Sequence, residues 1–167
     1  ASLGTALTEK HAGLLRRYGE NIYLLYDGDE AGLLAARRGV EVFLNIGLPV
    51  RIALLPPGED PDSMLLKEGR EAMEEVLDKA RDGFEFCIDR AAQTNSVDSI
   101  AGKCAVVNEL LPVLARIPEA VLRAECASVL AGRVGIDEGA VKEDLKRVRH
   151  RQSRRQSNQP APTEVTS

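Results

Sequence analysis

The chain is 167 residues long, 44% hydrophobic and 29% charged, with a formal net charge of −4. That is the balance of an ordinary globular domain. Only 4% of it is aromatic and Trp is absent, which argues against an aromatic stacking platform for single-stranded nucleic acid. No apolar run approaches the ~20 residues that span a bilayer, so a membrane-spanning role is excluded. The opening ASLGTALTEK has neither the basic start nor the long apolar stretch of a signal peptide. It also lacks an initiator Met, as expected of a piece of a longer protein. Cys87, Cys104 and Cys126 are odd in number and form no CxxC. Zinc and a disulfide framework are thus disfavoured, and three buried thiols in a reducing cytosol are expected.

Charge is unevenly placed. Residues 1–83 hold 10 Lys+Arg against 15 Asp+Glu, and residues 84–141 hold 5 against 8. Residues 142–167 reverse the sign, with 7 against 3. An acidic globular part is not by itself a strong polyanion binder, but it can meet phosphates through divalent cations.

In chain order, residues 8–18 read as a helix with Thr8 as N-cap and Gly19 as its stop. NIYLLY (21–26) reads as a buried strand. Residues 30–46 carry helical apolar spacing and end at Gly47. VRIALL (50–55) is a second strand, closed by Pro56, Pro57 and Gly58. Strand–helix–strand at this length is a parallel βαβ unit. After residue 60 the strands stop. Asp60-Pro61 opens a helix that ends near Gly69, and residues 70–81 continue helically to Gly83. Helices over 84–92, 100–117, 119–133 and 138–150 follow, with Pro118 at a first helical position and Asp137 as an N-cap. The expected organisation is an α/β part over 1–83, an all-α bundle over 84–150, and a disordered linker over 151–167.

Chemistry concentrates in two acidic clusters, Tyr26-Asp27-Gly28-Asp29-Glu30-Ala31-Gly32 and Gly58-Glu59-Asp60-Pro61-Asp62. Each follows a predicted strand. Parallel strands end on one edge, where ligands bind, so Asp27, Asp29, Asp60 and Asp62 are expected to converge. Four like charges require a cation between them, and all-oxygen ligands select Mg²⁺ or Mn²⁺. Gly28 and Gly32 would admit a metal or phosphate closely. Helix capping by Asp29 and Asp60 is the plainer alternative. An EF-hand is excluded, because Ala31 and Arg38 stand at the fifth and twelfth loop positions. A phosphatase with a nucleophilic Asp lacks the usual Thr after the second Asp. Lys67 could reach phosphates but reads better as a solvated helix residue, and KEDLKRVRHRQSRR (142–155) as a basic helix end.

YDGDEAG, followed one strand later by LLPPGEDPDSMLLKEG, resembles the toprim domain of the bacterial replicative primases of the DnaG type. SLGTALT and the helical GKCAVVNELLPVLARIPEAVLRAECASVLAGRVGIDEGAVKEDLKR narrow the resemblance to primase over about residues 1–149. It implies a partial toprim fold followed by a small helical bundle. It also implies metal-dependent joining of ribonucleoside triphosphates into short RNA primers on a single-stranded DNA template. Asp27 and Asp29 match the family's DxD pair, and Asp60 and Asp62 its second acidic pair, all holding catalytic Mg²⁺ or Mn²⁺. A further Glu, on a strand before SLGT, is expected upstream of this chain. The zinc ribbon, the basic template-gripping subdomain and the C-terminal domain that binds the replicative helicase are also expected outside it. These 167 residues alone are then expected to be inactive. The implied setting is the bacterial cytoplasm, at the replication fork. The alternatives are a non-catalytic toprim-derived replication adaptor, or another toprim enzyme, a nuclease or topoisomerase.

Overall fold

The computed structural model describes residues 8–15 and 21–157. Helix α1 (Glu9–Leu15) precedes a βαβ unit made of β1 (Tyr23–Asp27), α2 (Glu30–Asn45) and β2 (Arg51–Leu55). The strands are parallel and pair from Tyr23 with Arg51 to Asp27 with Leu55. Their bulky apolar residues suit a half-buried pleat, and α2 lays Ala36, Val40, Phe43 and Leu44 into the core. The expected end of α1 at Gly19 lies outside the described residues.

Helix α3 (Pro61–Asp78) breaks at Gly69, where φ is 82° and ψ −175°. Two helical stretches therefore meet at the glycine that the sequence marks. A two-residue strand, β3 (Arg81–Asp82), then pairs antiparallel with β2. This corrects the expectation that strands end at residue 60. The sheet is mixed, in the order β1-β2-β3, and β3 is too short to carry any periodicity. Helices α4 (Gly83–Thr94), α5 (Ile100–Arg116), α6 (Ala120–Val134) and α7 (Glu138–Ser157) complete the chain.

Three further expectations change. Pro118 precedes the N-cap of α6, which is Glu119, rather than occupying a first helical position. Asp137 does cap α7, accepting from the Ala140 N–H at 2.9 Å, but α7 continues to Ser157 instead of giving way to disorder at 151. Residues 158–167 lie outside the described residues. Cys87 and Cys126 are buried, whereas Cys104 is exposed, on the outer side of α5.

One hydrophobic core runs through the βαβ unit and the helices after residue 83. It joins Val40 and Phe43 of α2 and Ile52 of β2 to Phe84 and Ile88 of α4, Leu110 and Leu114 of α5, and Leu130 of α6. A smaller cluster of Leu55, Met64 and Met73 seats α3 on β2. Polar links cross residue 83 as well. Arg37 of α2 pairs with Glu109 of α5, and Arg90 of α4 donates to Glu30 at 2.6 Å. Partial burial acts to lower the Arg37 pKa, yet its bonds to Glu109 and Glu41 more than offset this and leave it raised.

Candidate functional site

The parallel register sets Asp27, at the end of β1, beside Leu55 at the end of β2. Backbone bonds then stitch the two following loops together. The Gly28 N–H donates to the Leu55 carbonyl at 3.0 Å. The Gly58 N–H donates to the Asp27 carboxylate, 3.1 Å from Oδ1 and 3.2 Å from Oδ2. Asp27 Oδ1 also lies 3.3 Å from the Asp29 N–H, which donates to it. The half-buried Asp27 therefore bridges the loop after β1 to the loop after β2.

Asp29 and Asp60 serve as helix caps. Asp29 Oδ1 accepts from the Gly32 N–H at 2.6 Å at the start of α2. Asp60 Oδ1 accepts from the N–H groups of Asp62 (3.0 Å) and Ser63 (2.9 Å), and its Oδ2 accepts from the Ser63 hydroxyl at 2.6 Å. Pro61 completes this helix start. The Ser63 hydroxyl foremost, and then the Ser63 N–H, hold the Asp60 carboxyl below its ordinary pKa. Asp62 lies exposed in the first turn of α3.

All four carboxylates sit on the expected edge, but they do not converge. Among the described residues no three His, Cys, Asp or Glu side chains gather into a metal-holding group. The reason is local: capping turns Asp29 and Asp60 onto their own helix starts, and Asp27 commits both oxygens to backbone amides. The donor chemistry still suits a hard divalent cation, because every candidate ligand is a carboxylate oxygen. The Asp62 carboxylate has no hydrogen-bond partner among the described residues, and only one oxygen of Asp29 is engaged.

The two glycines serve the backbone. A Cβ on Gly32 would lie 2.1 Å from the Asp27 carbonyl oxygen, and one on Gly28 would lie 2.8 Å from that of Leu55. Lys67 pairs with Glu59 at 3.0 Å. Sequence reasoning missed Ser63 and Arg90 as supports of these loops. Ser63 stood in a recognisable position, three residues after a capping Asp. Arg90 is 60 residues from its partner Glu30, and no local pattern could have found it.

Comparison with known proteins follows the same division. A family model described as Toprim-like matches residues 1–65. A second, described as the DnaB-helicase binding domain of primase, matches residues 84–139. This corrects the expectation that the region so described lies wholly outside the chain; its apolar helical repeat is indistinguishable from core packing by sequence. The chain is 36% identical over 159 residues to the DNA primase of Mycolicibacterium smegmatis, covering 87% of this chain and 25% of that protein. It is 34% identical over 139 residues to the DNA primase of Escherichia coli strain K12, covering 81% and 24%.

Solved structures agree. A DNA primase domain from Pseudomonas aeruginosa superposes with a TM-score of 0.79 at 30% identity, covering 90% of this chain and 47% of that one. A DnaG primase catalytic domain bound to single-stranded DNA gives 0.77 at 33%, covering 84% and 45%. The chain thus spans about a quarter of the length of the curated relatives it matches. With both family models, the curated relatives and the solved structures agreeing from the toprim loops to the helical half, the chain belongs to the bacterial DnaG-type DNA primase family.

Proposed function

We propose that this chain is part of an enzyme that makes short RNA primers on single-stranded DNA by joining ribonucleoside triphosphates. Asp27 and Asp29, with Asp60 and Asp62 from the neighbouring loop, would hold divalent cations, Mg²⁺ or Mn²⁺. When bound, such a cation supplies charge neutralisation at the triphosphate and activation of the attacking hydroxyl. The chain's own contribution is positional. Asp27 ties the two acidic loops into one rigid edge, and the caps fix where α2 and α3 begin. Residues 84–139 are the proposed contact for the replicative helicase, and the bacterial cytoplasm, at the replication fork, is the proposed setting. Among the described residues no helix is long and apolar enough to cross a membrane.

The observation that carries this reading is the Asp27 bridge, which places both acidic loops side by side at the carboxyl ends of the parallel strands. Its test uses Asn, which keeps the carboxylate's shape, removes its charge and caps a helix equally well. In the full-length parent, Asp27→Asn or Asp29→Asn should lower primer synthesis by about a hundredfold or more, with circular dichroism unchanged. The same substitution at Asp60 or Asp62 should also impair it. Near-wild-type synthesis in all four variants would leave these residues as structural ones and remove the proposal.

A further inference from the structure

Residues 59–68, which carry the second acidic pair, lie between two glycines at positive φ, Gly58 at 81° and Gly69 at 82°. Crowding imposes neither conformation, since nothing lies within 4 Å of a Cβ added at either position. Glycine turns there without steric penalty, and both positions have room around them. Hinges are built from a few such residues at the ends of elements.

Between these two points the segment is tied to itself. Lys67 Nζ donates to both oxygens of Glu59, at 3.0 and 3.2 Å, and so joins the segment nearly end to end. The Ser63 hydroxyl and N–H hold the Asp60 carboxylate, and the Met64 N–H donates to the Asp60 carbonyl at 3.0 Å. The hold of the segment on the rest of the protein is slighter. Met64 is its one buried side chain, and Leu66 is 87% exposed. Beyond Gly69 the second half of α3 packs Ala72, Met73, Val76 and Leu77 into the same apolar cluster. At the other end Asp27 holds the Gly58 N–H, which fixes the pivot itself. A single turn bond, from the Glu59 N–H to the Pro56 carbonyl at 3.1 Å, spans that pivot among the described residues.

Charge decides where such a segment rests. It carries four acids against one Lys and lies beside the loop of Asp27 and Asp29. The two acidic loops repel each other when nothing positive lies between them. A shared divalent cation reverses that, and the arrangement with both loops on it gains the most.

We propose that residues 59–68 turn as one rigid lid on Gly58 and Gly69. A divalent cation held by Asp27 and Asp29 draws the lid closed and brings Asp60 and Asp62 towards it. The inference rests on the metal reading given above and adds the movement that the separated carboxylates require.

The test is NMR relaxation dispersion on the 167-residue chain, which reads μs–ms hinge motion, first in EDTA and then with Mg²⁺ alone. In EDTA the amides of residues 59–68 and the Met64 methyl should fit one exchange rate, with residues 70–78 silent. Saturating Mg²⁺ should quench that exchange and shift the same signals together with those of residues 27–32. Asp60→Asn with Asp62→Asn retains the cap, so the motion should persist while the Mg²⁺ response of residues 59–68 is lost. Lys67→Gln cuts the tie to Glu59 and should split the single rate into several. Absence of exchange in EDTA, its spread into residues 70–78, or rates graded residue by residue as in a fraying helix end would overturn the lid. Mg²⁺ shifts at residues 27–32 with none at 59–68 would overturn the closing and leave the first acidic pair's role standing. Shifts at neither would overturn it together with the reading on which it rests.

Discussion

At Gly32 the start of α2 presses against the end of β1, so that an added methyl would meet the Asp27 carbonyl oxygen at 2.1 Å. Both partners are backbone, and neither can rotate away. Gly32→Ala should therefore cost about 3 kcal/mol, the upper end of ordinary overpacking, read as a lower urea midpoint at constant m-value. Gly132, inside α6 with nothing within 4 Å, is the control. Gly132→Ala should stabilise by roughly 0.5–1 kcal/mol through helix propensity alone. The cysteines divide just as sharply. Burial pushes the Cys87 and Cys126 thiols up to about 12, so they stay protonated and unreactive near neutral pH. An aromatic disulfide reagent should modify Cys104 alone in the folded protein and all three thiols in guanidinium chloride. Rapid native labelling of Cys87 would contradict the core as described.

Among the elements, α3 is the one with a built-in break. Gly69 adopts φ 82° and ψ −175°, a region open to glycine and closed to residues with a Cβ. Space is not the constraint, since nothing lies within 4 Å of an added Cβ there. Gly69→Ala should still destabilise by about 1–3 kcal/mol from backbone strain, or straighten α3 and lift Met73 from its seat beside Leu55 and Met64. Thermal unfolding of the variant, with amide exchange across residues 61–78, distinguishes strain from straightening. A neutral effect on both would mean that the break is not imposed by the glycine.

On the scale of the molecule, the shared core and the Arg37–Glu109 and Arg90–Glu30 links tie the toprim-like half to the helical half. The chain should unfold as one unit. Its composition offers a convenient probe, because all three Tyr lie within residues 18–26 and there is no Trp. Tyrosine fluorescence reports the α/β half, and far-UV circular dichroism is dominated by the helices. The two urea transitions should coincide. Leu110, fully buried in α5, sits in the core that both halves share. Leu110→Ala should shift both midpoints together, by about 3–4 kcal/mol in stability. Separate midpoints would show two independently stable units.

The βαβ unit, the helix boundaries near Gly47, Gly69 and Asp137, and the two acidic loops were all legible in the sequence. They are set by short-range physics: apolar period, cap chemistry and the breaking power of Gly and Pro. The likeness to primase was legible for the same reason, since its motifs are contiguous strings. What the carboxylates touch was not. Asp60 could be cap or ligand on its spacing alone, and only the position of the Ser63 hydroxyl and amide shows the cap. The antiparallel β3, the exposure of Cys104, and the pairing of Arg37 with a Glu 72 residues away are likewise products of packing. Local propensity acts within a turn or two of helix, whereas these contacts join elements whose separation along the chain carries no periodic signal. The chain itself thus determined its elements and its acidic loops, and the tertiary fold decided which charges are paired and which are left open.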